Sequence, residues 1–260
     1  MRSVLLVLYT IYAACWFVLL FLLLFPFFYL FLQREEWKPR AHYLNRLWGK
    51  LFFPLIGMPI DVRYEVEPDP KRAYVFCSNH FSYLDIAAMG LILKNYYAFV
   101  GKSDLKRAPL FGYMFAKLHI QVDRNDPASR SKSLQRSIKA LQSGRSVVIF
   151  PEGGIKSECP PKMHRPFKDG AFRMAIGQQV PVVPISLLNN HRLLPDKTKM
   201  RLHPGRIRAI VHAPIETTGL TLADLETLKE QTYAVIDQAL HAYENPVERI
   251  PESFRRVTPI

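Results

Sequence analysis

Hydrophobic and polar positions divide the chain into three regimes. From Ser3 to Leu32 no position is charged, and Leu, Phe, Val and Tyr fill every face of the helix that such a run would form. As a helix the run would extend about 45 Å, against roughly 30 Å of bilayer hydrocarbon. A soluble helix seldom stays apolar on all sides for that length, and a cleaved leader would be shorter and end in small residues. The pattern therefore predicts membrane insertion. Pro26 leaves two geometries open: a tilted or kinked span, or a helix that enters and stays in one leaflet.

The second regime, Trp37 to Leu55, mixes aromatic and basic residues. Trp37, Tyr43 and Trp48 suit the headgroup level, with Arg40, Arg46 and Lys50 among them facing phosphate. It predicts an interfacial helix ended near Pro54 and Gly57; a plain juxtamembrane linker is the alternative.

In the third regime short apolar runs alternate with stretches of helical period, the signature of α/β architecture. Strands are predicted at 62–66, 74–77, 96–100, 120–122, 146–150, 182–187, around Arg201 and at 207–211. Helices are predicted from Asp85 to about Leu93, and at 109–118, 128–142 and 169–178. A closing helix is capped by Thr221 and Asp224 and reaches about Tyr243. The expected organisation is a membrane anchor with an interfacial helix over 1–57 and one catalytic domain over 58–260.

Charge sharpens this picture. Lys and Arg outnumber Asp and Glu by 35 to 22, a formal net charge of +13, which suits anionic partners such as phospholipid headgroups, phosphorylated substrates or acyl carriers. The basic excess after the apolar run predicts a catalytic domain on the cytoplasmic face. Nucleic acid is disfavoured, because no helical or aromatic readout motif accompanies the charge. Cys15, Cys77 and Cys159 are dispersed and form no CxxC pair, and the histidines lack ligand spacing, so neither a disulfide framework nor a zinc site is expected.

The candidate chemistry centres on Asn79-His80-Phe81-Ser82-Tyr83-Leu84-Asp85. It follows a predicted strand and opens a predicted helix, a position where sites in α/β sheets tend to lie. A carboxylate bound to one ring nitrogen of His80 would fix the tautomer and leave the other nitrogen to take a proton from a hydroxyl. Ser82 and Asp85 also fit a capping box, which would explain both without chemistry. Three further stretches stand out: Gly101-Lys102-Ser103-Asp104 running on to Val122-Asp123-Arg124, then Phe150-Pro151-Glu152-Gly153-Gly154-Ile155-Lys156-Ser157, and Val180-Pro181-Val182-Val183-Pro184-Ile185.

In this order and spacing the four blocks, with Phe167-Lys168-Asp169-Gly170 between the last two, resemble the glycerolipid acyltransferases, above all those that acylate lysophosphatidic acid. The resemblance covers roughly residues 74–187. It implies a mixed α/β sheet flanked by helices, of the glycerol-3-phosphate acyltransferase kind. It also implies acyl transfer from acyl-CoA or acyl carrier protein, as co-substrate and without a cofactor or metal, to a lysophospholipid hydroxyl at the bilayer. His80 would be the general base and Asp85 its orienting acid. Asn79, Ser82, Lys102, Arg124, Glu152, Gly153, Gly154 and Lys156 would line the substrate. Where the family has Glu-Gly-Thr-Arg-Ser, this chain has Ile155 in the arginine's register and Lys156 one residue on, so a lyso-aminolipid acceptor stands as an alternative. Two readings from other classes also stand: a non-catalytic lipid-binding module, and a metal-dependent hydrolase built on His80, Asp85 and Glu152.

Overall fold

A computed structural model describes residues 2–196 and 200–245, with the backbone of Thr258 and Pro259. The apolar run is one continuous helix, α1 (Arg2–Phe31), with Pro26 inside it. Because it is apolar all round, composition cannot say which face docks; burial can. Tyr9, Ala13, Trp16, Leu20, Leu24, Phe28 and Leu32 form an inward stripe at helical spacing, while Leu5, Leu8, Leu19, Leu23, Phe27 and Leu30 stand exposed.

The second helix, α2 (Lys38–Leu55), runs antiparallel to α1. The Tyr9 and Tyr12 hydroxyls donate to the Ile56 and Leu55 carbonyls at one end of the pair, and Phe17 packs edge-on against Trp48 at its middle. Phe52 and Phe53 turn inward and join the same core as the sheet, each burial contributing about 1.5–3 kcal/mol. Tyr43, Leu47, Leu51 and Leu55 remain exposed at four-residue intervals, extending the apolar surface of α1. Residues up to 57 thus share their packing with the rest of the chain.

The strands are β1 (Ile60–Tyr64), β2 (Val75–Ser78), β3 (Tyr97–Lys102), β4 (Ile120–Val122), β5 (Ser146–Ile149), β6 (Val182–Leu187), β7 (Ile207–Val211) and β8 (Thr258–Pro259). They form one mixed sheet in the order β4-β3-β5-β2-β6-β7-β1-β8. The pairs from β4 to β6 are parallel, β7 runs antiparallel to β6, and β1 is parallel to β7. Central β2 is buried at every position, which is why it reads as an apolar run up to its last residue, Ser78.

One face of the sheet is covered by α1, α2, α3 (Leu84–Ile92) and α4 (Phe111–Leu118). The other carries α5 (Pro127–Gln142), α6 (Gly170–Gln178) and α8 (Leu225–Glu244); a single turn, α7 (Asn190–Leu193), follows β6. The predicted cap of the closing helix is present as a reciprocal Thr221–Asp224 capping box. One predicted element is absent: no strand forms around Arg201. There the Leu202 amide donates to Thr10 Oγ1 on α1 and the His203 amide to the Leu193 carbonyl, so these donors are taken by partners outside the sheet, and Pro204 has none to offer.

Candidate active site

β2 and β5 are parallel neighbours, so their carboxyl ends deliver Asn79-His80 and Phe150-Glu152 side by side. The His80 ring lies flat on Phe150, with centroids 4.0 Å apart and planes 16° from parallel. His80 Nδ1 is 3.0 Å from Asp85 Oδ2. That same oxygen accepts from the backbone amides of Phe81 (2.8 Å) and Ser82 (2.9 Å), and Oδ1 accepts from Asn190 Nδ2 at 2.8 Å. An oxygen that already draws in two N–H donors takes the third from the ring, so Nδ1 carries the proton and Nε2 the lone pair. Nε2 makes no hydrogen bond with any described residue.

The capping and dyad readings of this motif turn out to be compatible. Ser82 Oγ accepts from the Leu84 amide and donates to the Leu194 carbonyl, while Asp85 folds back onto the amides that precede its helix. The cap geometry is what aims the carboxylate at the ring. Asn79 is likewise engaged: its amide group exchanges two hydrogen bonds with the backbone of Leu187, fixing the end of β2 to that of β6.

Glu152 is fully buried and bridges two backbone amides: Oε1 accepts from His80 N at 2.7 Å and Oε2 from His164 N at 2.8 Å. It thus ties the histidine loop to the loop after β5. Burial pushes its carboxyl up to about 7. A raised acid pKa means that the native state holds a proton that the unfolded chain has released, so this contribution falls as pH rises from about 4.5 to about 7 and is level above. Urea midpoints across that window should show the decline in the wild type but not in Glu152→Gln. The variant should also lose about 1–3 kcal/mol, because its amide nitrogen cannot accept from His164 N. An unchanged midpoint with the slope intact would refute this account.

The next two residues turn sharply, with φ of +80° at Gly153 and +143° at Gly154. A Cβ on Gly154 would lie 2.7 Å from Arg124 Nη1, and one on Gly153 would lie 3.5 Å from Lys168 Cε and 4.0 Å from Lys156 Nζ. Only glycine allows both the backbone conformation and this convergence of cations. None of the three is in an ion pair among the described residues, whereas Lys102 is exposed and bound to Asp104 at 2.7 Å. Sequence reasoning assigned no role to Lys168, Asn190 or the Phe150 ring. Lys168 belongs to the stretch Phe167-Lys168-Asp169-Gly170, but nothing in spacing marks it as facing Gly153; Asn190 carries no signal at all.

Each carboxylate oxygen of Asp85 and Glu152 already accepts from an N–H donor, which leaves none turned toward a cation. The donor set therefore fits proton transfer better than the metal-hydrolase reading. Residues 60–188 match the family model described as Acyltransferase. A 1-acyl-sn-glycerol-3-phosphate acyltransferase of Chlamydomonas reinhardtii is 34% identical over 172 residues, 66% of this chain and 51% of that one. An uncharacterized acyltransferase of Schizosaccharomyces pombe is 30% identical over 203 residues, 75% of this chain and 71% of that one. The chain spans about half the length of several curated relatives that it matches, the algal one included. The crystal structure of the 1-acyl-sn-glycerophosphate acyltransferase PlsC from Thermotoga maritima has the same fold, with a TM-score of 0.75 at 21% identity over 97% of this chain and 100% of that one. With a shared fold, a matched family model and relatives of this similarity, the chain belongs to the acyltransferase family that includes the 1-acyl-sn-glycerol-3-phosphate acyltransferases.

Proposed function

We propose that the protein transfers an acyl group from an acyl thioester, on coenzyme A or acyl carrier protein, to the free hydroxyl of 1-acyl-sn-glycerol-3-phosphate, giving phosphatidic acid. The observation that carries this is the free Nε2 of an Asp85-held His80, beside a glycine turn ringed by three unpaired cations. Nε2 takes the hydroxyl proton as the oxygen attacks the thioester carbonyl. The Asp85 carboxylate stabilises the resulting imidazolium. When the tetrahedral intermediate collapses, the C–S bond breaks and the imidazolium returns its proton to the leaving thiolate. Arg124, Lys156 and Lys168 hold the acceptor phosphate and so replace the missing arginine at position 155.

The acceptor is tested with a panel of lysolipids and one acyl thioester. Lysophosphatidic acid is expected to turn over. Lys156→Ala and Lys168→Ala should each raise its KM roughly tenfold with kcat held, the expected loss of one charge-assisted contact. Preference for a lyso-aminolipid, with KM indifferent to these cations, would instead favour the alternative acceptor.

The α1–α2 pair is proposed to sit in one leaflet, with the domain against the cytoplasmic surface. Both ends of α1 support this: Thr10 is bonded to Leu202, and Tyr29 stacks on Tyr113 of α4 at 5.8 Å. A helix docked along its whole length on the domain cannot cross the bilayer without carrying that domain with it. In a Cys15→Ser/Cys159→Ser background, which removes the two exposed thiols, Ser3→Cys and Gln33→Cys should therefore react with an impermeant maleimide from the same side of sealed vesicles. Labelling from opposite sides would establish a span.

A further inference from the structure

We infer that the outer face of α5 is a docking surface for the acidic helical face of an acyl carrier protein that delivers the acyl thioester; this rests on the acyl-transfer reading above. The sequence of α5, Pro-Ala-Ser-Arg-Ser-Lys-Ser-Leu-Gln-Arg-Ser-Ile-Lys-Ala-Leu-Gln, has four basic residues and no acidic one. Lys132, Arg136 and Lys139 lie at three- and four-residue intervals, on one exposed stripe opposite buried Ser137 and Leu141. Like charges at these spacings disfavour a helix, so local stability does not account for the stripe. A solvated helix face usually intersperses carboxylates that pair with its cations, yet none of these residues is in an ion pair among the described residues.

Position selects the partner. The apolar α1–α2 surface covers one face of the sheet and α5 the other, two layers or about 20 Å away. At physiological salt, charges on a membrane held by α1 and α2 are screened within about 8 Å, so headgroups do not account for the α5 charge. The stripe also lacks the aromatic residues that would stack nucleobases. A soluble, acidic macromolecule remains. The N-terminal turn of α5 adjoins the site: on the side of the helix away from the stripe, Arg130 Nη1 donates to the carbonyl of Arg124, the residue whose guanidinium lies on Gly154. A partner on the stripe would thus come from the aqueous side, at the end of the helix nearest the site, while the lysolipid arrives from the bilayer.

The test uses the full-length enzyme in detergent micelles and a bacterial acyl carrier protein bearing a palmitoyl thioester. Wild type is expected to bind the carrier with an affinity that falls as salt rises. The triple variant Lys132→Glu/Arg136→Glu/Lys139→Glu should bind the carrier about tenfold or more weakly and show a KM for the carrier-bound donor raised by a similar factor, with palmitoyl-CoA turnover unchanged. The inference is overturned if wild type does not bind the carrier, or if the variant binds it equally well. It is also overturned if the variant loses only its adhesion to phosphatidylglycerol vesicles, which would make the stripe a lipid contact. Should neither donor be turned over with any lysolipid, the acyl-transfer reading fails, and the binding comparison still decides the surface.

Discussion

His80→Ala is expected to lower acyl transfer by about 10²–10⁴-fold, the usual worth of a positioned general base, with melting temperature and membrane association unchanged. The fold should survive because the other partners of the dyad do not need the ring. Asp85 keeps the amides of Phe81 and Ser82 and the side chain of Asn190, and Phe150 keeps its neighbour Phe99 at 6.3 Å. The loss should fall on kcat, since the acceptor phosphate is assigned to other residues. Steady-state kinetics beside a thermal melt would check both halves. Undiminished turnover would show that the acceptor proton does not leave through His80 and would remove the dyad from the mechanism.

Asp85 carries the second large expectation, and two substitutions there should part company. Asp85→Ala strips the partner from three N–H groups and the Asn190 amide, all buried, and should cost about 3–5 kcal/mol of stability. Asp85→Asn should cost far less. Asn190 Oδ1 is buried without a partner, so a turn of the Asn190 amide would let it accept from the new amide nitrogen. The remaining oxygen still accepts from the loop amides, but a neutral group no longer stabilises an imidazolium. The corresponding change in a serine-protease triad costs about 10⁴-fold in kcat, and a loss approaching that is expected here. A well-folded Asp85→Asn enzyme with near-normal kcat would show that the carboxylate serves only as a cap.

The readability of the chain follows from which forces were local. A strand buried on both faces announces itself as a largely apolar run, and one at the edge as an alternating one, so β6 and β4 both coincide with prediction to the residue. The Thr221–Asp224 box is likewise set by neighbours three positions apart. The false strand at Arg201 is the opposite case: the Leu202 amide finds Thr10, nearly two hundred positions away, and nothing local reveals that partner. The site divides in the same way. His80 and Asp85 are five positions apart and legible. Asn190, which meets Asp85 over a separation of 105 positions, and Lys168, which reaches Gly153 through loop geometry, are not.

The inward stripe of α1 bears on how such a chain is assembled. Those thirty residues emerge during synthesis before any strand that they will cover, with every face equally greasy. With α1 in one leaflet, as proposed, lipid would be the first solvent of a surface destined for protein, and the sheet, as it consolidates, would have to peel one side of the helix away from acyl chains while the other side stayed among them. The bilayer would in that sense act as a chaperone, shielding an unfinished interior until its second half arrives.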